Sequence, residues 1–570
     1  MQTVRKPFAL VPQISGRWLE RLRGPADATL ADHLFRLLTV SVILLGLWLR
    51  CRGILFGPTL PLWSDESTWL VFLKTQPLTT LFIRPIAFMG LTKVLVALFP
   101  PTEFVVRFLP WLGGLATVLL SPALARRLCQ SNMARLLLIA SIALHPAAID
   151  LGRDFKPYSL GLTVHIGLLI LAFNYVVRGR ARDLYLVLGV AMLGVLFAQD
   201  IVFIYPGLFL TLFVVAWKQA RKPHLLAIAA SAVVTVGILV TLYLMIWRNL
   251  DQQGEKDYWG ARYDVFYIPD SGRGSSYVGW LSNKFADVLA MPGMRRDHWQ
   301  SVEATDGPRP LGASLDRALW IGFAVVGAAV LVRRRRFYEI LLLLGPLAVL
   351  MAFNAAGRWP FGAFRTNLFL LAYVTPLTAL AFDLRRRSTT AVVTATAATA
   401  PTATAAATET TATAPTKWWT PLPALAFVVL PFFALNKHFH TYKHTFSATS
   451  YFPDVIQHLV DAQSKDPRGR ELLLMDTRSC ADWRYYVRYH PRFAAQREEI
   501  ENDRFSVKCG KSTRKMLLRA ASEIGRGERI WGVATGDRQK EELDYRLRGL
   551  RTIDEMRFSD QQIVVGVERR

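Results

Sequence analysis

Leu62-Trp63-Ser64-Asp65-Glu66-Ser67 sets two adjacent carboxylates directly after the first strongly apolar segment of the chain. Everything before residue 60 reads as a basic tail followed by one apolar helix. The acid pair therefore sits where that helix leaves an apolar medium, flanked by Trp63 and Trp69. Such a pair is either ordinary interfacial polarity or the working end of an enzyme, and the residues on both sides of it decide.

Composition bounds the answer first. The chain has 570 residues, is 52% hydrophobic and carries a formal net charge of +25. A soluble protein of this length needs more charged surface to cover its core. Successive apolar stretches long enough to cross about 30 Å of hydrocarbon define a polytopic membrane protein. The basic residues fall in short clusters between these stretches, a topological pattern rather than a nucleic-acid face, so no nucleic-acid partner is expected.

Arg5, Lys6, Arg17, Arg21 and Arg23 predict a cytoplasmic N-terminal tail, residues 1–33. A first span over 34–55 then delivers Asp65 and Glu66 to the far side. The stretch 85–99 is short, contains Lys93 and ends at Pro100-Pro101, so it reads as a helix lying in the outer interface. With that choice the later basic clusters, from Arg126-Arg127 to Arg385–Arg387, all fall inside. The pattern predicts about eleven spans in a mainly α-helical membrane bundle, residues 34–387 plus a last span at 417–436. Its external loops are near 56–103, 150–157, 248–314 and 357–365. Arg50 and Arg52 depart from the inside-positive pattern and read as headgroup anchors.

The Thr/Ala-rich stretch 388–416 reads as a cytoplasmic linker. Residues 437–570 read as a small extracytoplasmic α/β domain, with helices over 454–463 and 482–489 and strands over 471–475, 529–533 and 562–565. Cys480 and Cys509 both fall there, and an oxidising compartment permits a disulfide between them. His438, His440 and His444 follow a span among lysines and read as juxtamembrane polarity rather than a metal cluster.

On this topology one face collects Asp65-Glu66, Arg84-Pro85, Gly152-Arg153-Asp154-Phe155-Lys156-Pro157-Tyr158-Ser159, Asp200, and Arg358 through Arg365. Ionisable residues at membrane depth are costly and face cavities or partners. Arginine is suited to bidentate contact with a phosphate headgroup. Asp200 reads equally as a site residue or a polar helix cap.

The acid pair after the first span, the interfacial helix led by Arg84-Pro85, Arg107-Phe108-Leu109-Pro110 and Asp154-Phe155-Lys156-Pro157-Tyr158-Ser159 resemble the glycosyltransferase-C superfamily. Protein O-mannosyltransferases and lipid A aminoarabinose transferases are the nearer kinds. The resemblance runs from about residue 34 to 373. It implies inverting sugar transfer from a polyprenyl-phosphate donor to a glycan, lipid or protein acceptor, outside the cytoplasm and among membrane lipids. It further implies Asp65 as base, Glu66 tuning it and Asp154 as a second acid. Arg84, Arg153, Lys156, Arg358 and Arg365 would hold the donor phosphate, with Trp63 and Tyr158 lining the substrate pocket. Relatives often carry Glu-x-Arg where this chain has Asp154 and Lys156, and a lysine is a point charge rather than a planar fork.

Paired carboxylates are able to hold a divalent ion, and some superfamily members depend on one. The nearer kinds do not, so no metal ligand is assigned. The competing classes are a transporter or flippase for a lipid-linked or anionic substrate, and a non-catalytic binder on the same fold. The sequence has no internal repeat of the kind transporters carry.

Overall fold

The computed structural model describes residues 30–56, 61–77, 85–245, 248, 256, 260, 264–267, 276–293, 311–383, 452–467, 469–510, 513–521, 528–535, 550–559 and 562–569. Arg84, the Thr/Ala-rich stretch, the last predicted span and the three juxtamembrane histidines lie outside these residues.

The first half of the bundle runs α1 (Leu30–Cys51), α2 (Ser64–Thr75), α3 (Ile86–Leu98), α4 (Glu103–Leu128), α5 (Asn132–Ala143), α6 (Pro146–Asp150) and α7 (Tyr158–Arg178). The second half runs α8 (Ala181–Gly194), α9 (Tyr205–Lys218), α10 (Lys222–Met245), α11 (Tyr277–Ala290), α12 (Leu311–Arg333), α13 (Phe337–Ala355) and α14 (Leu371–Leu380). Short 3-10 turns at Gln199–Phe203 and Arg365–Leu370 lead into α9 and α14. Six of the described helices are long and apolar enough to cross a membrane: α1 from Asp32, α4, α7, α10, α12 from Ser314, and α13. Shorter apolar helices include α3, α5 and α9.

Outward faces show the solvent these helices are built for. On α10, Leu226 and Val233 are each 72% exposed. Water would disfavour that much bare aliphatic surface, whereas lipid does not. Within the bundle small residues let backbones meet. Gly46 of α1 abuts Ala143, and Gly327 of α12 lies so close to the Leu377 carbonyl of α14 that a Cβ would not fit. Local signals set the ends: Thr102 Oγ1 accepts from the Val105 N–H, Ser131 Oγ accepts from the Ala134 N–H, and Gly179 closes α7 at φ 61°. At the end opposite the acid pair, buried Asp383 accepts from the Gln130 and Ser131 N–H groups and pairs with Arg334 at 3.0 Å.

The C-terminal domain comprises α15 (Phe452–Lys465), β1 (Glu471–Asp476), α16 (Thr477–Arg488), β2 (Phe505–Gly510), α17 (Thr513–Ala521), β3 (Arg529–Thr535), β4 (Leu550–Ser559) and β5 (Gln562–Arg569). The strand order is β2-β1-β3-β5-β4, with β1 parallel to β2 and β3, and β5 antiparallel to β3 and β4. A disulfide joins Cys480 at the start of α16 to Cys509 of β2.

This domain shares a core with the acid-pair region. One apolar cluster joins Leu62, Leu70, Leu73, Phe88, Val106 and Phe155 of the bundle to Val455, Ile456, Trp483, Tyr485, Phe505 and Trp531 of the domain. Helix α16 lies directly on α2, so the acid pair is held from the bundle side and from the domain side.

Candidate active site

The two carboxylates diverge by one helical step. Trp63 takes the N-cap position of α2 with extended backbone, which places Glu66 at the third helical residue. From there Glu66 Oε2 accepts from the Trp63 N–H at 3.2 Å. Glu66 is wholly buried. Arg107 grips it in a two-point pair, Nε to Oε1 at 3.0 Å and Nη2 to Oε2 at 2.5 Å, and the Phe155 N–H donates to Oε1. Arg107 Nη2 also donates to the Pro61 carbonyl at 3.0 Å. Glu66 thus ties α2 to α4 and to the turn before α7, with its lone pairs already engaged.

Asp65 points the other way, and its side chain is 43% exposed. Lys156 Nζ lies 3.0 Å from Asp65 Oδ2, with its own side chain buried. The ammonium sits 3.6 Å from the centre of the Trp69 ring and 5.6 Å from that of Trp63. Two aromatic faces and one carboxylate therefore hold a cation that burial alone would not tolerate. The Arg365 guanidinium also lies against the Trp63 ring, at 5.6 Å. Its loop is fixed by buried Asn367, which donates to the Pro360 and Gly362 carbonyls and accepts from Trp359 Nε1.

Asp154 is buried in the turn that carries Lys156, whose N–H donates to the Asp154 carbonyl at 2.7 Å. Burial, with Glu66 alongside, pushes the Asp154 carboxyl up to about 7 against the partial relief of Arg107 and Lys156. Tyr158, half-buried at the start of α7, stands in the field of Arg365, Asp65, Asp154 and Asp200. Asp65, Trp63, Lys156, Asp154, Tyr158 and Arg365 thus come together around one end of the bundle.

Other expected residues stand elsewhere. Arg153 donates to Asp150 Oδ1 at 2.6 Å and to the Arg52 carbonyl at 3.1 Å, which links its loop to the segment just after α1. Arg358 is exposed at the far end of the Trp359–Arg365 loop. Arg50 does not reach headgroups: it is buried and donates to the Gly46, Ala143 and Ile142 carbonyls. Asp200 is buried within the 3-10 turn before α9, with Oδ1 3.9 Å from His165 Nε2. Burial pushes its carboxyl up to about 8. Among the described residues, no group of three or more His, Cys, Asp or Glu is placed to hold a metal ion.

Arg107, quoted within a motif, and Trp69, noted beside the acid pair, were given no site role from the sequence. The signal for Arg107 was available: one cation near the start of an otherwise apolar span requires an internal partner. The contribution of α16 carried no such signal.

The fold and the site together define a polytopic membrane helical bundle that presents an aspartate–lysine pair beneath an α/β domain. Among solved structures the chain is similar to ArnT from Cupriavidus metallidurans bound to undecaprenyl phosphate, at 14% identity and TM-score 0.48, over 93% of this chain and 97% of that one. It is also similar to ArnT from the same organism in the apo state, at 14% identity and TM-score 0.38, over 94% and 98%. A third likeness is to the archaeal oligosaccharyltransferase AglB from Archaeoglobus fulgidus, in complex with an inhibitory peptide and a dolichol-phosphate. It has 14% identity and TM-score 0.35 over 60% and 50%. No family model matches the chain, and no curated protein does.

Proposed function

We propose that this chain is a membrane glycosyltransferase that moves a sugar from a polyprenyl-phosphate donor to an acceptor hydroxyl, with inversion. The observation that carries the reading is the half-exposed Asp65 carboxylate paired at 3.0 Å with a buried Lys156 between two tryptophans. Asp65 takes the acceptor proton as its oxygen attacks the anomeric carbon. The bond from that carbon to the phosphate oxygen breaks on the opposite side, and its electrons leave with the lipid phosphate. A phosphate leaving group needs cations rather than a general acid, and Lys156 and Arg365 supply them, with Arg84 as a further candidate.

The pairing also orders the steps. A donor phosphate competes with Asp65 for the Lys156 ammonium, so donor binding comes before the carboxylate turns to the acceptor hydroxyl. Asp154, whose carboxyl burial pushes up to about 7, carries only part of a negative charge near neutral pH and so adds less repulsion beside the phosphate. The Cys480–Cys509 disulfide supports an extracytoplasmic C-terminal domain, and with it a site on the outer face and a cytoplasmic N-terminus.

Purified chain in lipid vesicles, supplied with a panel of radiolabelled undecaprenyl-phosphate sugars and a cell-envelope acceptor extract, is expected to move label to the acceptor. Movement of the intact lipid across the vesicle without release of undecaprenyl phosphate would contradict the enzyme reading and favour a flippase.

A further inference from the structure

Tyr486 lies on the face of α16 that covers α2. Its hydroxyl accepts from the Leu62 N–H at 2.8 Å and donates to Glu103 Oε1 at 3.3 Å. A single oxygen thereby joins the segment leading into α2 to the first residue of α4. Those two helices carry Glu66 and Arg107, the buried pair beneath Asp65. We propose that Tyr486 is a positioning residue for the candidate active site: its hydroxyl fixes α2 against α4, and so fixes the approach of Asp65 to Lys156. The kinetic part of this proposal rests on the glycosyltransferase reading, and the structural part does not.

The surroundings of Tyr486 fit that task. Its side chain is wholly buried, with the ring 4.5 Å from Tyr485 and 5.3 Å from His490, centre to centre. Burial holds the phenol well above its ordinary value, with Glu103 adding to the effect, so the hydroxyl keeps the proton it donates. Neighbouring groups brace the start of α4: Tyr485 OH donates to the Pro101 carbonyl at 3.0 Å, and His490 Nε2 lies 3.0 Å from Glu103 Oε2. One turn earlier on α16, buried Asp482 faces Ser67 of α2, and burial pushes its carboxyl well up. The Cys480–Cys509 bridge anchors this turn of α16 to β2. Leu62 is fully buried, so loss of the tyrosine oxygen leaves its N–H without that acceptor in a dry place.

The test compares Tyr486→Phe with Tyr485→Phe in the full chain in lipid vesicles. Each removes one buried oxygen, but only Tyr486→Phe unlinks α2 from α4. For Tyr486→Phe, amide exchange over 62–70 is expected to rise roughly tenfold, the cost of an unmet buried hydrogen bond. Exchange in β1 and β3 should stay as in the parent. kcat should fall by roughly the same factor with KM for the polyprenyl-phosphate donor within about twofold. Tyr485→Phe loses the Pro101 contact but keeps the Leu62 link, so both readouts should move far less than in Tyr486→Phe. Unaltered exchange over 62–70 in Tyr486→Phe, or equal effects of the two variants, would overturn the proposal. Should Tyr486→Phe not fold, Glu103→Ala removes the acceptor instead, and unaltered exchange at the start of α4 would overturn it equally. If the parent chain transfers no sugar, the enzyme reading fails while the exchange arm still decides the positioning role.

Discussion

Glu66 and Arg107 form a buried two-point ion pair at 3.0 Å and 2.5 Å, and Glu66 also accepts from the backbone of Trp63 and of Phe155. Adjacent acids in the sequence thus divide: Glu66 is a buried fastener, and Asp65 is a half-exposed carboxylate paired with Lys156. Glu66→Ala leaves the Arg107 charge buried without its partner, which costs about 3–5 kcal/mol. The expected result is a marked drop in thermal midpoint in detergent and low yield. Glu66→Ala that unfolds like the parent would refute the fastener role.

Lys156 and Arg153 are two residues from the same loop with opposite assignments. Lys156→Met keeps the stem against Trp69 and removes the charge, so undecaprenyl phosphate binding should weaken. One charge-assisted hydrogen bond is worth about 1.5–3 kcal/mol, or roughly 10- to 150-fold in affinity. Arg153→Gln breaks the strut to Asp150 and should lower the thermal midpoint while leaving that affinity nearly unchanged. The reverse ranking in a lipid-binding measurement would contradict the assignment.

The raised Asp154 carboxyl has a definite sign. Its folded value of about 7 lies above the ordinary 3.8, so between those values the folded chain holds a proton that the unfolded chain has lost. Stability from this group is full below about pH 4 and falls as pH rises to about 7. Asp154→Asn should remove that dependence. Thermal midpoints from pH 5 to pH 8 should show the variant gaining on the parent as pH rises. Parallel curves would contradict the burial argument.

Cys480 and Cys509 are 29 residues apart, and closing a loop of that size stabilises by about 3–4 kcal/mol in the chain-entropy treatment. Reductant, or Cys480→Ser with Cys509→Ser, should lower the unfolding midpoint of the C-terminal domain. Because α16 rests on α2, exchange over 64–75 should rise with it. Loss of domain stability with no change in α2 would contradict the coupling of domain to site.

The helices were legible in the sequence wherever apolar runs were bounded by strong signals. Pro157-Tyr158 and Arg178-Gly179 mark the ends of α7, Tyr158–Arg178, and the Arg333–Arg336 cluster marks the end of α12, Leu311–Arg333. The apolar run after Arg365 divides into a 3-10 turn and the short α14, because Asn367 spends its side chain on the loop backbone. In the C-terminal domain β2 and β4 went unread: Phe505–Gly510 is short and ends in a glycine, Leu550–Ser559 is interrupted by charged residues, and both draw their strand character from neighbours in the sheet. At the site the resemblance set Asp65 apart as base from Glu66. The residues around the pair gave no sign that Glu66 is held by Arg107, 41 positions away. Contact between Tyr486 and Leu62 spans 424 positions and left no local trace.

The proposed role of Asp65 as base in sugar transfer from a polyprenyl-phosphate donor is decided by the transfer rate of Asp65→Asn against the parent, with matched thermal midpoints and matched undecaprenyl phosphate binding. A lost general base predicts a fall in kcat of roughly 10²- to 10⁴-fold. Transfer by Asp65→Asn at the parent rate would contradict the account.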